Sequence, residues 1–336
     1  MGRKSSRVLV TGGAGFIGSH IVDRLVQKDY DVKILDNFST GNLENIADHS
    51  TEDVHLIKGD IRDLSKVKLA MKDVDVVFHE AALVSPVLST KDPKLTEDIN
   101  VKGTLNLLEA STHFGVKRFI FASSAAVYGR IPYIKMKEEM APKPNTPYGI
   151  SKLAAECYVR LFNELYKLET VSLRYFNIYG PRQRFDKNSL YSTVIPIFIS
   201  RLSRDLPPTV YGDGEQTRDF VYVEDIVEAN MLALECNQAA GEVFNIGSGK
   251  RVTINQVSEI LKELTNKEYL DNSYLSPRPT DVRHGYADIS KAKEALGYHP
   301  RFSMREGLKR FLEWYHDKKL SFEENSLTRA ETGTES

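Results

Sequence analysis

The sequence predicts an α/β fold, a doubly wound parallel sheet with helices on both faces and a smaller α/β lobe attached after about Gly180. Three observations predict it. Through the first half, short β-branched or apolar runs alternate with amphipathic stretches at the spacing of βαβ units, which call for a parallel sheet. A glycine-rich turn joins the first run to the first helix. Beyond Gly180, Pro181, Pro196, Pro207 and Pro208, then Gly212, Gly214, Gly247 and Gly249, punctuate shorter elements.

In chain order, strands are expected at 8–10, 32–35, 55–57, 74–78, 118–122 and 170–173, with helices near 17–27, 64–71, 95–113 and 147–166. Helix 17–27 sets Ile21, Val22 and Leu25 on one face. Helix 147–166 opens on Pro147, which suits a first helical turn. Residues 1–180 form the predicted nucleotide-binding domain, with segments near 220–250 returning to it. Residues 181–317 form mainly the second lobe. From 318 to 336 Ser, Thr, Glu and Asn dominate, so a disordered tail is expected.

Composition narrows the function. With 41% apolar and 27% charged residues in 336, the chain is of ordinary globular type. Its 45 basic and 46 acidic residues leave no overall field to attract nucleic acid, so any anion must be held locally. Cys157 and Cys236 lie far apart without metal-ligand spacing, which suits a reducing cytoplasm and gives no expectation of a metal. No run approaches the ~18 apolar residues of a membrane span.

Val8-Leu9-Val10 runs into Thr11-Gly12-Gly13-Ala14-Gly15-Phe16-Ile17-Gly18, a Gly-x-x-Gly-x-x-Gly loop between strand and helix. Gly12 permits a tight turn, Gly15 lets backbone approach a pyrophosphate, and Gly18 lets the helix lie close on the sheet. The helix N-terminus offers N–H groups and partial positive charge to phosphates. Asp36 closes the second strand 18 residues after Gly18. A carboxylate there accepts both ribose hydroxyls and repels a 2′-phosphate, so the expected cofactor is NAD rather than NADP, in a Rossmann-type domain. Asn37 follows it, and Asp60-Ile61, after the third strand, is expected to meet the adenine.

Tyr148 and Lys152, four residues apart, share one face of the helix that starts at Pro147. An ammonium beside a phenol favours the phenolate, making Tyr148 an expected general base near neutral pH although free tyrosine titrates at ~10. Ser123 and Ser124 end the fifth strand, at the edge where open α/β sheets place ligands.

Together, Thr11 to Gly18, Asp36, Ser124, Tyr148-x-x-x-Lys152 and the run Leu173-Arg174-Tyr175-Phe176-Asn177-Ile178-Tyr179-Gly180-Pro181-Arg182 resemble an extended short-chain dehydrogenase/reductase. The likeness covers residues 7 to about 315 and is similar within that family to UDP-glucose 4-epimerases. It implies that Ser124, Tyr148 and Lys152 are catalytic, that Phe16, Ile17 and Tyr175 lie along the cofactor, and that the second lobe binds a nucleotide-sugar. By the same resemblance Asn177, Arg218 and Arg278 hold the diphosphate, Asp281 a ribose, and Val194 lies beside the base, while Ser85 is a candidate sugar contact. Guanidinium groups suit phosphate oxygens, although Arg218 beside Asp219 also fits a surface ion pair.

Related 4,6-dehydratases carry Asp-Glu just after the strand-five hydroxyl, and decarboxylases a glutamate. This chain reads Ser124-Ala125-Ala126-Val127-Tyr128-Gly129. Oxidation at C4 and re-reduction from the other face, hence 4-epimerisation of a UDP-hexose, is the expected reaction. Gly285 falls where a small residue admits N-acetylated sugars and a bulky one does not; Ala126 and Val84 depart from plain UDP-glucose enzymes. UDP-glucuronate 4-epimerisation, another nucleotide-sugar modification within the family, and a non-catalytic NAD-binding scaffold remain alternatives. Relatives pair through two helices, so a homodimer through 95–113 and 147–166 is expected, with Leu153, Val159 and Leu161 available for burial.

Overall fold

In the computed structural model, which describes residues 6–129, 135–185, 193–277 and 283–332, with side chains as far as 318, seven strands form one parallel sheet. They are β1 (Arg7–Thr11), β2 (Asp31–Asp36), β3 (Val54–Lys58), β4 (Val76–His79), β5 (Arg118–Ser124), β6 (Glu169–Tyr175) and β7 (Val243–Ile246). Their spatial order is β7-β6-β5-β4-β1-β2-β3, every pair parallel. The order reverses between β1 and β4, and ligands of doubly wound sheets sit at that switch point.

Parallel strands covered on both faces must be apolar nearly throughout. β4 is accordingly buried along its length and β5 to its last residue but one. One core, including Val8, Val10, Ile21, Leu25 and Phe244, fills one face, and another, including Leu9, Val77, Leu107, Phe119 and Val159, fills the other. The helices are α1 (Phe16–Gln27), α2 (Leu64–Met71), α3 (Gly103–Phe114), α4 (Pro147–Tyr166) and α5 (Val223–Glu235). α5 packs on α1, so the chain returns to the sheet after residue 220, and β7 pairs with β6.

Two elements differ from expectation. Residues 95–113 are not one helix: Pro93–Glu97 leads through a wider π-type turn, Asp98–Lys102, into α3. At the break stands Gly103, where a Cβ would come within 2.5 Å of Ile61 Cδ1, so close packing against that loop accompanies the change of winding. The final helix, Met304–Thr332, continues past 318, where a disordered tail was expected. Past 318, Lys, Leu, Glu, Ala and Arg all favour helix, and no Gly or Pro stands between 318 and Gly333, so polarity removes a core without stopping the helix.

The second lobe has its own core of Ile195, Phe198, Leu202, Val257, Leu261, Leu308 and Phe311, from helices Val194–Leu202, Ile254–Leu264 and Met304–Thr332.

Candidate functional site

A cavity of about 1350 Å³ opens over the C-terminal edge of the sheet and runs to the second lobe. That exceeds the space a drug-sized molecule needs and matches a dinucleotide with a second ligand beside it. Its lining includes Gly12, Gly15, Phe16, Ile17, Gly18, Asp36, Asn37, Asp60 and Ile61 at one end, Ser124, Tyr148, Lys152 and Tyr175 in the middle, and Asn177, Val194, Arg218 and Gly285 towards the lobe.

The dinucleotide end is built by close approach. Gly12 has φ +69°, and a Cβ there would meet Ala81 N at 2.8 Å; a Cβ on Gly18 would overlap Gly12 O at 2.2 Å, so helix and turn touch backbone to backbone. Gly15 precedes α1, whose first turn has no side-chain cap and no acidic residue, which leaves its N-terminal field for an anion. Asp36 is 7% exposed; Oδ2 accepts from Ala14 N at 3.0 Å and Oδ1 from Phe38 N at 2.8 Å. A carboxylate has about four acceptor positions, so capacity remains for two ribose hydroxyls. Burial pushes its pKa up, and those two amides hold it down. Asp60 pairs with Arg62 and accepts from Asn37 Nδ2 at 2.8 Å, bonds that hold its carboxyl well below the usual range. These residues fit a dinucleotide.

The central group comes from adjacent strand ends and one helix start. Ser124 of β5 lies opposite Tyr175 of β6 in the sheet register. Thr146 caps α4 by accepting from Gly149 N, Pro147 takes the first helical position, and Tyr148 follows one residue in. Lys152, one turn on, is 3% exposed and donates to Ala122 O at 2.8 Å. The four-residue spacing predicts that Lys152 makes Tyr148 acidic. Among the protein's own groups the balance runs the other way: burial pushes the phenol up, a hydrogen bond from Ser124 pulls it back, and the Glu80 charge raises it further. Burial also pushes the Lys152 ammonium down to about 8, against the pull of Glu80.

At the lobe end, Asn177 Nδ2 donates to Asp219 O at 3.1 Å, and Arg218 Nη1 to Thr217 O at 2.8 Å. Asp219 does not form the surface ion pair that its position beside Arg218 allowed: it is fully buried, and its oxygens take Ser248 N and Oγ, Gly249 N and Ala287 N. Ser85 is not brought to the wall; it is buried, its Oγ accepts from Leu88 N to cap helix Pro86–Lys91, and Val84 and Pro86 form the lining beside it. Arg278 and Asp281 lie outside the described residues.

Sequence reasoning assigned no role to Glu80, to Arg62 beside Asp60, or to four arginines towards the second lobe, Arg182, Arg184, Arg201 and Arg204. Glu80 left a local signal, a charged residue directly after a fully buried strand. Arg182 closes the run on which the family resemblance rests, whereas Arg184, Arg201 and Arg204 left no local signal, because they converge only when the second lobe folds. Among the described residues, no group of three or more His, Cys, Asp or Glu could hold a metal ion, and no helix is long and apolar enough to cross a membrane.

Known proteins share this arrangement. Residues 8–247 match the NAD dependent epimerase/dehydratase family. A UDP-N-acetylglucosamine 4-epimerase from Methanobrevibacter ruminantium M1, solved in complex with UDP-N-acetylmuramic acid, superposes with a TM-score of 0.88 at 41% identity, covering 94% of this chain and 100% of that one. A UDP-glucose 4-epimerase from Thermotoga maritima, solved with UDP-glucose, gives 0.87 at 40% identity over 93% and 99% of the two chains. The UDP-glucose 4-epimerase of Mycolicibacterium smegmatis is 34% identical over 93% of this chain and 99% of its own length. With a glycine loop, a strand-two carboxylate and a Ser-Tyr-Lys group on one cavity, and likeness along nearly its whole length, the chain belongs to the NAD dependent epimerase/dehydratase family, within the extended short-chain dehydrogenases/reductases.

Proposed function

We propose that this chain epimerises C4 of a UDP-hexose through a transient 4-keto sugar, using tightly bound NAD, and that it accepts the N-acetylated pair as well as glucose and galactose. The observation that carries this is the continuity of one cavity from Asp36 past Ser124, Tyr148 and Lys152 to Arg218, with Ala125 and Ala126 forming the wall directly after Ser124. Methyl groups there supply no acid or base for eliminating water or losing carbon dioxide, so oxidation is followed only by reduction.

Gly12 to Gly18 and the start of α1 hold the pyrophosphate, Asp36 the adenosine ribose, and Asp60 and Ile61 the adenine. The chemistry NAD supplies when bound is hydride acceptance and return, together with a cationic ring that favours a phenolate nearby. Ser124 orients the C4 oxygen, Tyr148 takes its proton and later gives it back, and Lys152 holds the charge that makes this exchange possible. Asn177, Arg218, Arg278 and Asp281, with the further lining arginines, grip the nucleoside diphosphate. Grip far from the reacting carbon retains the keto sugar while it turns over. We propose in addition a homodimer through α3 and α4.

The test is product identification by NMR after mixing the purified protein with UDP-glucose, UDP-N-acetylglucosamine or UDP-glucuronate, with no cofactor added. C4 epimers of the first two are expected, and Tyr148→Phe should lower kcat on the order of 10²–10⁴-fold. A 4-keto-6-deoxy product, released carbon dioxide, turnover of the glucuronate alone, or a Tyr148→Phe enzyme as fast as its parent would each remove the reading.

A further inference from the structure

Among the described residues three carboxylates line the cavity. Asp36 and Asp60 stand at the dinucleotide end, engaged by backbone amides and by Arg62 with Asn37 respectively. Glu80 stands elsewhere. It directly follows β4, its N–H donates to Thr11 O at 3.1 Å beside the glycine turn, and its side chain shares the wall with Tyr148, Lys152 and Tyr175. Its Oε1 accepts the Tyr175 hydroxyl proton at 2.9 Å, and that hydroxyl accepts from Asn230 at 2.8 Å. No role assigned so far uses a carboxylate at this place.

An ammonium buried as Lys152 is needs a counter-charge. Its Nζ donates to the Ala122 carbonyl and lies 4.9 Å from the centre of the Phe121 ring, both dipolar partners rather than anions. A buried ion without an opposite charge is costly enough that it gives up its charge instead. Glu80 makes no direct ion pair with Lys152, but it is the carboxylate that shares this stretch of cavity wall with it, which places its charge to act on the ammonium across the site.

We infer that Glu80 is a positioning residue for the reaction proposed above: its carboxylate fixes the Tyr175 ring through the hydroxyl and supplies the negative charge that keeps Lys152 an ammonium inside the cavity. The assignment to catalysis rests on that reading of function; the charge pairing does not.

Among the described residues, the titratable groups facing Glu80 are few. His79, its neighbour and the last residue of β4, holds its ring between the Thr11 and Thr104 hydroxyls, and burial pushes it well below its ordinary value. Tyr148 comes from α4 and Tyr175 from β6, both pushed up by burial, while Asn230 of α5 is neutral. That leaves Glu80, raised to about 7 by burial, and Lys152, lowered to about 8, as the pair that titrates near neutrality. As pH falls through 7 the carboxylate takes up a proton and its hold on Lys152 fades; as pH rises through 8 the ammonium loses its own. Removing the carboxylate's charge therefore moves the loss of the ammonium to lower pH.

The experiment compares wild type, Glu80→Gln and Glu80→Asp in two ways: kcat against pH, and ¹⁵N NMR of the Lys152 ammonium in lysine-labelled protein without substrate, assigned by its loss in Lys152→Met. Gln keeps an oxygen for Tyr175 but no charge; Asp keeps the charge. Glu80→Gln should move the alkaline limb and the Lys152 titration down by about one pH unit, and Glu80→Asp should leave both near wild type. The position of a limb does not depend on the fraction of protein folded, and in wild type alone the Lys152 signal should carry an inflection near 7 from the carboxyl. An unmoved Lys152 titration in Glu80→Gln, or a wild-type signal without that inflection, overturns the inference. A moved titration in a protein that epimerises no sugar keeps the pairing and removes the functional reading instead.

Discussion

Gly285 has a φ outside the left-handed region, so any residue could adopt its backbone conformation, and a turn does not explain the glycine. Space does. A Cβ there would stand 2.7 Å from Met136 Cε, on the cavity wall. The thioether is flexible enough to yield to a methyl group, whereas a phenol must enter the cavity. Gly285→Tyr should therefore lower kcat/KM for UDP-N-acetylglucosamine about 10–200-fold more than for UDP-glucose, the range a steric clash with one small group commands. Equal losses on both sugars would discredit the steric account. Residues of this kind are legible because they fall at fixed offsets within a local motif, as Asp36, Ser124, Tyr148 and Lys152 also do. Glu80 carries only the weaker signal of a charge directly after a buried strand, and its role arises from Lys152 and Tyr175, which approach it only through the fold. The direction in which Tyr148 titrates was equally hidden, since it depends on burial rather than on spacing.

α4 carries its N-terminal signals in sequence, Thr146 and Pro147, but what fixes its position on the sheet is a buried ion pair. Glu156 accepts from Arg174 of β6 at 2.6 and 3.0 Å and from Ser123 of β5 at 2.5 Å, all three residues nearly inaccessible. Arg174 also donates to Tyr128 Oη at 2.8 Å, which donates to Asn245 of β7. One carboxylate thus ties the helix bearing Tyr148 to the strand that ends in Ser124. Glu156→Ala leaves the guanidinium uncompensated and should cost about 3–5 kcal/mol in urea unfolding. kcat should fall more than substrate affinity, because the nucleotide is held elsewhere; a stability within about 0.5 kcal/mol of wild type would show the pair to be dispensable. The break between Pro93–Glu97 and α3 was unreadable for a related reason, because apolar periodicity runs across Gly103 while its contact with Ile61 comes from another part of the chain.

At the scale of the molecule, three cores are closed and yet α4 keeps an apolar stripe in solvent. Ile150, Tyr158, Leu161, Leu165 and Tyr166 are 55%, 38%, 40%, 61% and 55% exposed, and Cys157 is exposed among them. Val159, which the sequence also offered to a partner, is fully buried in the monomer's own core, so the face available to a second copy is turned away from it. Contiguous apolar patches mark association surfaces, and a stable pair needs about 800 Å² from each subunit, which one helix of this length supplies only together with a neighbour such as α3. Leu161→Glu with Leu165→Glu places two carboxylates per subunit where the stripe would meet its copy, and burying such charges unpaired costs more than a dimer of this size can bear. Sedimentation velocity should show wild type as a dimer and the double variant as a monomer of unchanged secondary structure. In the dimer, Cys157 should react slowly with a thiol reagent, and in the variant rapidly. A wild type that sediments as a monomer, or a double variant that still pairs, would place the partner surface somewhere other than α4.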